Sequence, residues 1–201
     1  NLFPKAIPGI PGYVVDGRSN PSSDVGGDYY DFITLDDGRL ILAIADVSGK
    51  GMPASLLMAN VQAALRVLSP LGLELPDIVT RINKVIFDNT TADKFLTFFI
   101  GMLNPSTGKF QYVNAGHNPP LFRYNSGKYK KLDVGGLLLG IMDDFETYME
   151  DEITLNPGDS IFLYTDGVTE AQDSEQTEYG EDRLEEFYSD NYYLTPGEFI
   201  D

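Results

Sequence analysis

Residues 40–60 read LILAIADVSGKGMPASLLMAN, and this stretch joins a strand pattern to a helix pattern through a turn. The segment from Leu40 to Asp46 is an apolar run that ends on a carboxylate. Small and glycine-rich residues follow at 47–51, and Pro53 then suits the first turn of a helix. A buried strand that ends on a lone aspartate in a glycine-rich turn raises the question of what chemistry Asp46 performs.

The residue counts limit the chemistry that this chain can perform. At 201 residues with 42 % apolar side chains, the chain is large enough for one sizeable hydrophobic core, and a single domain is the default. It contains no cysteine, which excludes disulfides, a thiolate nucleophile and cysteine-ligated zinc. Its single histidine, His117, excludes a three-histidine zinc site, so aspartates would have to carry any hydrolytic chemistry.

Acidic residues are concentrated toward the end of the chain. The net charge is −17, and residues 143–201 hold 19 acidic side chains but only one basic side chain, that of Arg183. Such a surface repels phosphate backbones, so we expect no nucleic-acid binding. The carboxylates form either a solvated acidic face or, in part, a group that gathers around cations. A run of about 18 uncharged apolar residues and a signal-peptide pattern are both missing, so we expect no membrane span and a cytoplasmic setting.

Eight short segments rich in β-branched and aromatic residues predict strands. They lie at 12–19, 28–35, 39–46, 95–103, 109–116, 120–124, 147–155 and 159–166. Turn residues at 36–38, 104–108, 125–127 and 156–158 predict hairpins, and therefore antiparallel pairing.

Helical periodicity interrupts this series. A helix predicted after Pro53 places Leu56, Ala59, Ala63 and Val67 near one face, and a second helix follows Pro76 with apolar residues at 78, 82, 85 and 86. A weaker helix is predicted at 181–190, and residues 196–201 read as the start of another. Strands in runs with helices segregated predict an α+β fold, in which packed sheets are covered by helices on the outside.

Aspartates stand beside glycine at three places in this pattern. Asp28 and Asp31 lie in VGGDYYD, Asp46 ends its strand, and Asp166 ends another apolar strand before Gly167 turns the chain. A single such aspartate is commonly a helix cap or a turn residue. If the two strands are neighbours, their ends bring two carboxylates together, and a hard divalent cation such as Mg²⁺ or Mn²⁺ would relieve the repulsion between them.

Two further residues have alternative interpretations. His117, in NAGHNPP, is either an acid that protonates a leaving hydroxyl or a loop histidine that only satisfies hydrogen bonds. Lys50 either steers a phosphate group or is simply exposed. The segment SGKG does not match the phosphate-binding GxxxxGK[ST] pattern, so we do not predict ATP binding there.

Several motifs in a fixed order resemble those of a known family. GGDYYDF, IADVSGKGMPAS, NAGHNPPL, LLLGI and YTDGVTEA closely resemble the metal-dependent PPM (PP2C-like) serine/threonine phosphatases, and more narrowly the bacterial branch typified by SpoIIE and RsbU. The similarity covers nearly the whole chain. It implies one domain over residues 1–201, a β-sandwich of two antiparallel sheets with helices on both outer faces.

The resemblance also implies a site with two Mn²⁺ or Mg²⁺ ions. Asp46 would bridge the ions, the carbonyl of Val47 and the carboxylates of Asp28 and Asp166 would be further ligands, and Asp31 would lie in the outer shell. In such a site, metal-bound water attacks phosphoserine or phosphothreonine without a phosphoenzyme intermediate.

Around these ligands, Gly49 and Gly51 would shape the turn. Gly167, Lys50 and His117 would stand in the outer shell or on the substrate side.

One feature of the family pattern is missing. The catalytic domain normally finishes with an acidic motif resembling D-D-I-T, which supplies another metal ligand, and no such motif occurs before Asp201. Either the chain is incomplete at its C-terminus, which the broken-off helix at 196–201 favours, or this is a form with an impaired site.

The resemblance implies a role in signal transduction and the stress response. The substrate would be a phosphorylated STAS-type anti-sigma-factor antagonist, whose dephosphorylation frees a sigma factor. An upstream sensory or receiver domain, or homodimerisation, would regulate the enzyme. The alternative function is a pseudophosphatase that binds a partner protein without turnover.

Overall fold

The chain forms two sheets, and buried residues alternate with half-buried ones along several of the strands. A computed structural model describes residues 2–20, 26–49, 51–90, 94–143 and 148–201. The strands are β1 (Asp28–Thr34), β2 (Leu40–Val47), β3 (Leu96–Asn104), β4 (Lys109–Ala115), β5 (Leu121–Arg123), β6 (Tyr129–Lys131), β7 (Gly135–Gly136), β8 (Asp151–Thr154) and β9 (Ser160–Phe162). The helices are α1 (Met52–Leu68), α2 (Leu75–Asn89), α3 (Asp166–Thr169), α4 (Glu181–Asp190) and α5 (Pro196–Ile200), and a short 3₁₀ turn, Ser69–Leu71, follows α1.

The larger sheet contains six strands and the smaller sheet three. The larger sheet has the order β1-β2-β3-β4-β7, and β8 also pairs with β4. The smaller sheet has the order β6-β5-β9. All of these pairings are antiparallel, as predicted, except the short parallel pairing of β4 with β7.

Three hydrophobic clusters separate the layers. Along β2, Ile41, Ala43 and Ala45 pack in the cluster that includes α1 and α2, whereas Leu40 belongs to the cluster between the two sheets. A third cluster joins the outer face of the smaller sheet to α4 and α5. The order of layers is therefore helices, larger sheet, smaller sheet, helices, which confirms the expected α+β sandwich with helices on both outer faces.

The strand predicted at 12–19 does not form among the described residues. Only a single bridge between Ile10 and Tyr13 pairs backbone there, while Tyr13 and Val15 pack by their side chains against the cluster between the sheets. In this segment, the alternating apolar side chains therefore reflect partial burial and not pairing of the backbone in a strand.

The hairpin predicted around 156–158 is also not observed. Although β8 and β9 flank this turn, β8 pairs with β4 in the larger sheet and β9 pairs with β5 in the smaller sheet. The turn therefore carries the chain from one sheet to the other. Two short strands, β6 and β7, and the one-turn helix α3 had no prediction, because each is too short to show a periodic pattern.

Helix α1 buries a different face from the predicted one. Its buried residues are Ala54, Leu57, Met58, Val61 and Leu65. Leu56 and Val67, which were expected near one apolar face, are 61 % and 66 % exposed. Both stripes have helical spacing, so only the packing against α2 and the larger sheet selects between them.

The apolarity of this region also shows in its hydropathy. Residues Met52–Leu71 are long and apolar enough, by length and composition alone, to cross a membrane, and a buried core helix passes the same test. In this fold, one face of α1 lies in the core.

Candidate metal centre

Asp28 and Asp46 form a carboxyl pair at one end of the sandwich. Strand β1 pairs with β2 in a register that sets Asp28 directly opposite Asp46. Their side chains therefore point to the same face of the sheet, the face toward the smaller sheet, and the two carboxyl groups act on each other at close range. Both residues are half-buried.

Asp166 approaches the pair from the other sheet. The chain continues from β9 through Tyr164 and Thr165, and Asp166 is the first residue of α3. The Thr165 side chain lies beside the Asp28 carboxyl group, and the charge of Asp166 acts on both members of the pair. The two aspartate-bearing strands are therefore not neighbours in one sheet. Their ends converge across the sandwich, because β2 and β9 belong to sheets that pack face to face.

Burial and like charge make ionisation of this pair unfavourable. Burial raises the pKa of Asp28. For Asp46, burial first, then the charge of Asp166 and that of Asp28, raise the pKa to about 7. A cation bound between these groups would favour the ionised forms and displace the proton.

Main-chain oxygens at the end of β2 and in the turn after it lie near the Asp46 carboxyl group, and together these oxygens form a cradle around Gly27. A Cβ atom on Gly27 would lie 3.0 Å from the Val47 carbonyl oxygen, 3.2 Å from Asp46 Oδ1 and 3.3 Å from the Gly49 carbonyl oxygen. Three oxygens thus converge on a space that only glycine leaves open. Carboxylate and carbonyl oxygens are the ligands that Mg²⁺ and Mn²⁺ prefer, so the donor set fits a hard divalent cation.

The side chains alone make a sparse ligand set. Within the described ranges, no three acidic or histidine side chains lie close enough together to hold one metal ion. A cation here would therefore depend on the carbonyl oxygens and on water as well as on the carboxyl pair, a coordination that Mg²⁺ commonly adopts.

Asp31 is not brought to this cluster. Three residues after Asp28 on the same strand, its side chain points to the opposite face, toward α1. There the carboxylate is 1 % exposed and accepts hydrogen bonds from Arg66 Nε at 2.8 Å, Arg66 Nη2 at 3.0 Å and the Tyr29 hydroxyl at 3.0 Å. Asp31 therefore joins β1 to α1.

His117 lies beside the cluster with both ring nitrogens engaged. Its side chain is 3 % exposed, Nδ1 lies 2.8 Å from Thr97 Oγ1, and Nε2 lies 3.1 Å from the Tyr164 carbonyl oxygen. Burial lowers the pKa of His117 to about 4. A neutral, enclosed ring does not present a proton to a substrate, so the geometry favours the hydrogen-bonding interpretation over the acid.

The remaining candidates belong to the turns. Gly49 and Gly51 have φ values of 101° and 82°, which favour glycine, so the turn after β2 depends on them. Gly167 is exposed beside the pair, since a Cβ on it would lie 4.0 Å from Asp28 Oδ2. Lys50 lies outside the described residues.

Three residues at this site had no role in the sequence interpretation. Gly27 precedes Asp28 and Thr165 precedes Asp166, so small residues flanking each aspartate were an available signal. Thr97 had no such signal. It lies opposite Asp46 only because of the register between β2 and β3.

Comparisons with known proteins agree with the fold. The family described as Stage II sporulation protein E (SpoIIE) matches residues 36–201. The chain is 36 % identical over 155 residues to phosphoserine phosphatase RsbU of Bacillus subtilis, which covers 77 % of this chain and 46 % of RsbU. The chain thus spans less than half the length of that relative.

Two solved structures share the architecture. The RsbU and RsbW domains of Rv1364c from Mycobacterium tuberculosis superpose with a TM-score of 0.71 at 28 % identity, covering 88 % of this chain and 48 % of that one. The SiaA-PP2C domain of Pseudomonas aeruginosa gives a TM-score of 0.74 at 19 % identity, covering 89 % of this chain and 72 % of that one.

Proposed function

Because this chain belongs to the SpoIIE family of PP2C-like domains, we propose that it is a metal-dependent phosphatase that hydrolyses phosphoserine or phosphothreonine in a protein substrate. The observation that carries this proposal is the convergence of Asp28 and Asp46, from the larger sheet, with Asp166, from the end of the smaller sheet. The name of RsbU, a phosphoserine phosphatase, supports the reaction class.

Asp28, Asp46, Asp166 and the Val47 carbonyl would hold two Mn²⁺ or Mg²⁺ ions. When bound, such ions lower the pKa of a water molecule and neutralise the charge of phosphate oxygens. The cradle formed around Gly27 by the oxygens of residues 46–49 supports a hard cation over a soft one.

The protein's own groups prepare the site for that chemistry. The carboxyl pair must give up its proton for a cation to bind, and the raised pKa of Asp46, about 7, makes this release responsive to pH near neutrality. The Thr165 side chain, next to Asp28, favours the ionised form of that carboxyl group. Exposed Gly167 has no side chain beside Asp28, which leaves room for a phosphorylated side chain to approach.

Membership of the family supports a narrower proposal about the substrate class and the setting. We propose that the substrate is a phosphorylated STAS-domain protein that antagonises an anti-sigma factor, and that the enzyme acts in the cytoplasm. Regulation would come from an upstream sensory or receiver domain or from homodimerisation. The net charge of −17 argues against nucleic acid as a partner.

A second candidate function is a pseudophosphatase that binds a partner protein without turnover. One observation favours it: in the described part of the chain, no three acidic or histidine side chains are placed to hold one ion together.

Hydrolysis assays with defined metals test the proposal. The chain is incubated with a phosphoserine peptide and with p-nitrophenyl phosphate in the presence of Mn²⁺, Mg²⁺ or EDTA. We expect metal-dependent turnover that is lost in Asp46→Asn and Asp166→Asn, because each variant removes a ligand charge. Asp37→Asn, which removes a charge from an exposed turn, is the matched control and should retain activity. The absence of both turnover and Mn²⁺ binding would favour the pseudophosphatase, and full activity in Asp46→Asn would contradict the site.

A further inference from the structure

We propose that His117 is a positioning residue that ties the two sheets together beside the aspartates and so holds Asp166 at its working separation from Asp28 and Asp46. This inference rests on the proposed function, since it gives His117 a role in the same metal centre. It differs from both earlier interpretations, because the ring's partners lie on two other segments of the fold rather than on a substrate or within its own loop.

The partners of His117 determine its tautomer. The Tyr164 carbonyl oxygen can only accept a hydrogen bond, so Nε2 of His117 donates to it across 3.1 Å. In the neutral ring, Nδ1 then accepts from the Thr97 hydroxyl at 2.8 Å. Each nitrogen therefore has one defined partner, and the ring orientation is set from both sides.

Each partner lies next to a proposed ligand. Thr97 pairs with Asp46 across β2 and β3, and its Oγ1 lies 3.5 Å from the Asp46 carbonyl oxygen. Tyr164 lies two residues before Asp166. The ring thus connects the backbone position of one ligand in the larger sheet to the segment that carries another ligand from the smaller sheet.

The loop that carries His117 is itself held firmly. Asn114 Nδ2 donates to the carbonyl oxygens of His117 and Leu132, both at 3.0 Å, and Asn114 Oδ1 accepts from the His117 backbone N–H at 2.8 Å. Gly116 adopts a φ of 72°, and a Cβ on it would lie 2.9 Å from Leu138 Cβ. The backbone that carries the His117 ring is therefore held in place by these hydrogen bonds and by close packing.

At this end of the sandwich the proposed metal ligands must be held in fixed positions, and directional hydrogen bonds can do this. In the core between them, the two sheets meet through apolar side chains such as Leu40, Phe99 and Phe122, whose contacts are not directional. Metal ligands need tighter placement, and residues that orient ligands through hydrogen bonds change metal affinity about 10–100-fold when they are removed. The Thr165 side chain also lies beside Asp28 across the two sheets, but that contact involves a ligand carboxyl group that a metal would claim.

Three variants test the link that His117 makes between the two sheets, and a fourth is a control; each is compared with wild type. His117→Ala removes both bonds, Thr97→Val removes the bond to the larger sheet, and His117→Gln supplies both an amide donor for the Tyr164 carbonyl and an amide oxygen to accept from the Thr97 hydroxyl. Ser69→Ala is the matched control, because it removes a buried hydroxyl that donates to the Leu65 carbonyl on α1.

The main measurement is the Mn²⁺ dissociation constant by calorimetry, at a temperature where circular dichroism shows every variant folded. We expect His117→Ala and Thr97→Val to bind Mn²⁺ about 10–100-fold more weakly, with His117→Gln recovering most of the loss. Ser69→Ala should lower the melting temperature without changing the dissociation constant. If His117→Ala does not fold, Thr97→Val and His117→Gln still decide the question.

A second measurement needs no metal. His117 is the single histidine, so its ring nitrogens can be observed directly by ¹⁵N NMR. We expect Nε2 protonated and Nδ1 unprotonated in the metal-free wild type, and a changed Nδ1 resonance in Thr97→Val.

The outcomes distinguish a failure of the positioning role of His117 from a failure of the proposed phosphatase function. Wild-type turnover and Mn²⁺ binding, with unchanged affinity in Thr97→Val and His117→Ala, would overturn the positioning role and leave the phosphatase intact. The opposite tautomer would also overturn it. A wild-type chain with neither turnover nor Mn²⁺ binding would overturn the proposed function and this inference together.

Discussion

Asp46 combines three features that all disfavour its ionisation in the metal-free protein. It is half-buried, it lies against a second carboxyl group, that of Asp28, and it is within reach of the charge of a third, Asp166. Each feature disfavours ionisation, which is why the pKa of Asp46 rises to about 7. Such an arrangement lowers the stability of the empty fold at neutral pH and favours binding of a cation.

The stability of the metal-free protein should therefore depend on pH. Between about pH 4 and pH 7, folded Asp46 keeps a proton that the unfolded chain, with an ordinary pKa of 3.8, has released. The folded state then binds more protons, so this contribution to stability falls as the pH rises through that window. In Asp46→Asn the contribution is absent, and the melting temperature in EDTA should fall less between pH 5 and pH 8 than in wild type.

The comparison with Asp46→Asn is necessary because His117 acts with the opposite sign. Its pKa is lowered by burial from 6.5 to about 4, so the unfolded chain binds the extra proton between those values and stability from this group rises with pH. This contribution is common to both proteins and cancels in their difference. Parallel pH profiles for wild type and Asp46→Asn would contradict the raised pKa of Asp46.

At the scale of elements, one ion pair joins β1 to α1. Asp31 is fully buried at its carboxylate, while the Arg66 side chain that pairs with it is 52 % exposed. The same strand thus presents one aspartate to the site and another to a helix, because its side chains alternate.

Removing the arginine should destabilise the fold without emptying the site. We expect Arg66→Ala to lower the free energy of unfolding by about 2–3 kcal/mol, below the usual range for fully buried pairs because Arg66 reaches solvent. Chemical denaturation measures this loss. The exposed pair between Arg39 and Asp37 supplies the control, and Arg39→Ala should change stability by less than about 1 kcal/mol. Equal losses in the two variants would contradict a special role for the pair with Asp31.

Helix α1 offers a test of which apolar face supports the core. Leu65 is 0 % exposed, whereas Leu56 is 61 % exposed on the same helix. We expect Leu65→Ala to lower the free energy of unfolding by about 2–5 kcal/mol, and Leu56→Ala to change it by less than about 0.5 kcal/mol. Urea denaturation of the two variants compares them directly. A larger loss of stability in Leu56→Ala than in Leu65→Ala would indicate that the face predicted from periodicity is the one that supports the core.

At the scale of the whole molecule, net charge opposes compactness. The chain carries −17 charges, and the acidic excess lies in residues 143–201, which include β8, β9 and the helices that cover the smaller sheet. Close packing of like charges raises the free energy of the folded state relative to the expanded chain.

Monovalent salt should therefore stabilise the fold. Raising NaCl from about 0.01 M to about 0.15 M shortens the screening length from about 30 Å to about 8 Å, which weakens repulsion among surface carboxylates. We expect the melting temperature in EDTA to rise over this range, as measured by circular dichroism. A constant or falling melting temperature would show that surface ion pairs outweigh the repulsion.

The sequence predicted more of the elements than of their connections. Strands β1 to β5 and helices α1, α2 and α4 were found close to their observed bounds, since each has a clear period or flanking turn residues. The segment at 12–19 has the same alternation without strand pairing, because partial burial of alternate side chains, here Tyr13 and Val15, produces that pattern too. The buried face of α1 was missed because a helix that is apolar on several faces contains more than one stripe.

The sequence by itself determined the α+β fold class, the family, and the aspartates and glycines at the strand ends, because these depend on local periodicity and on contiguous motifs. Only the tertiary structure decided which of them meet. Asp28 faces Asp46 through strand register, Asp166 arrives from the opposite sheet, and Asp31 is turned away by a single alternation of the strand. The His117 ring bonds to the carbonyl of Tyr164, 47 residues away in the chain, a contact that depends on two sheets packing face to face and that no local pattern encodes.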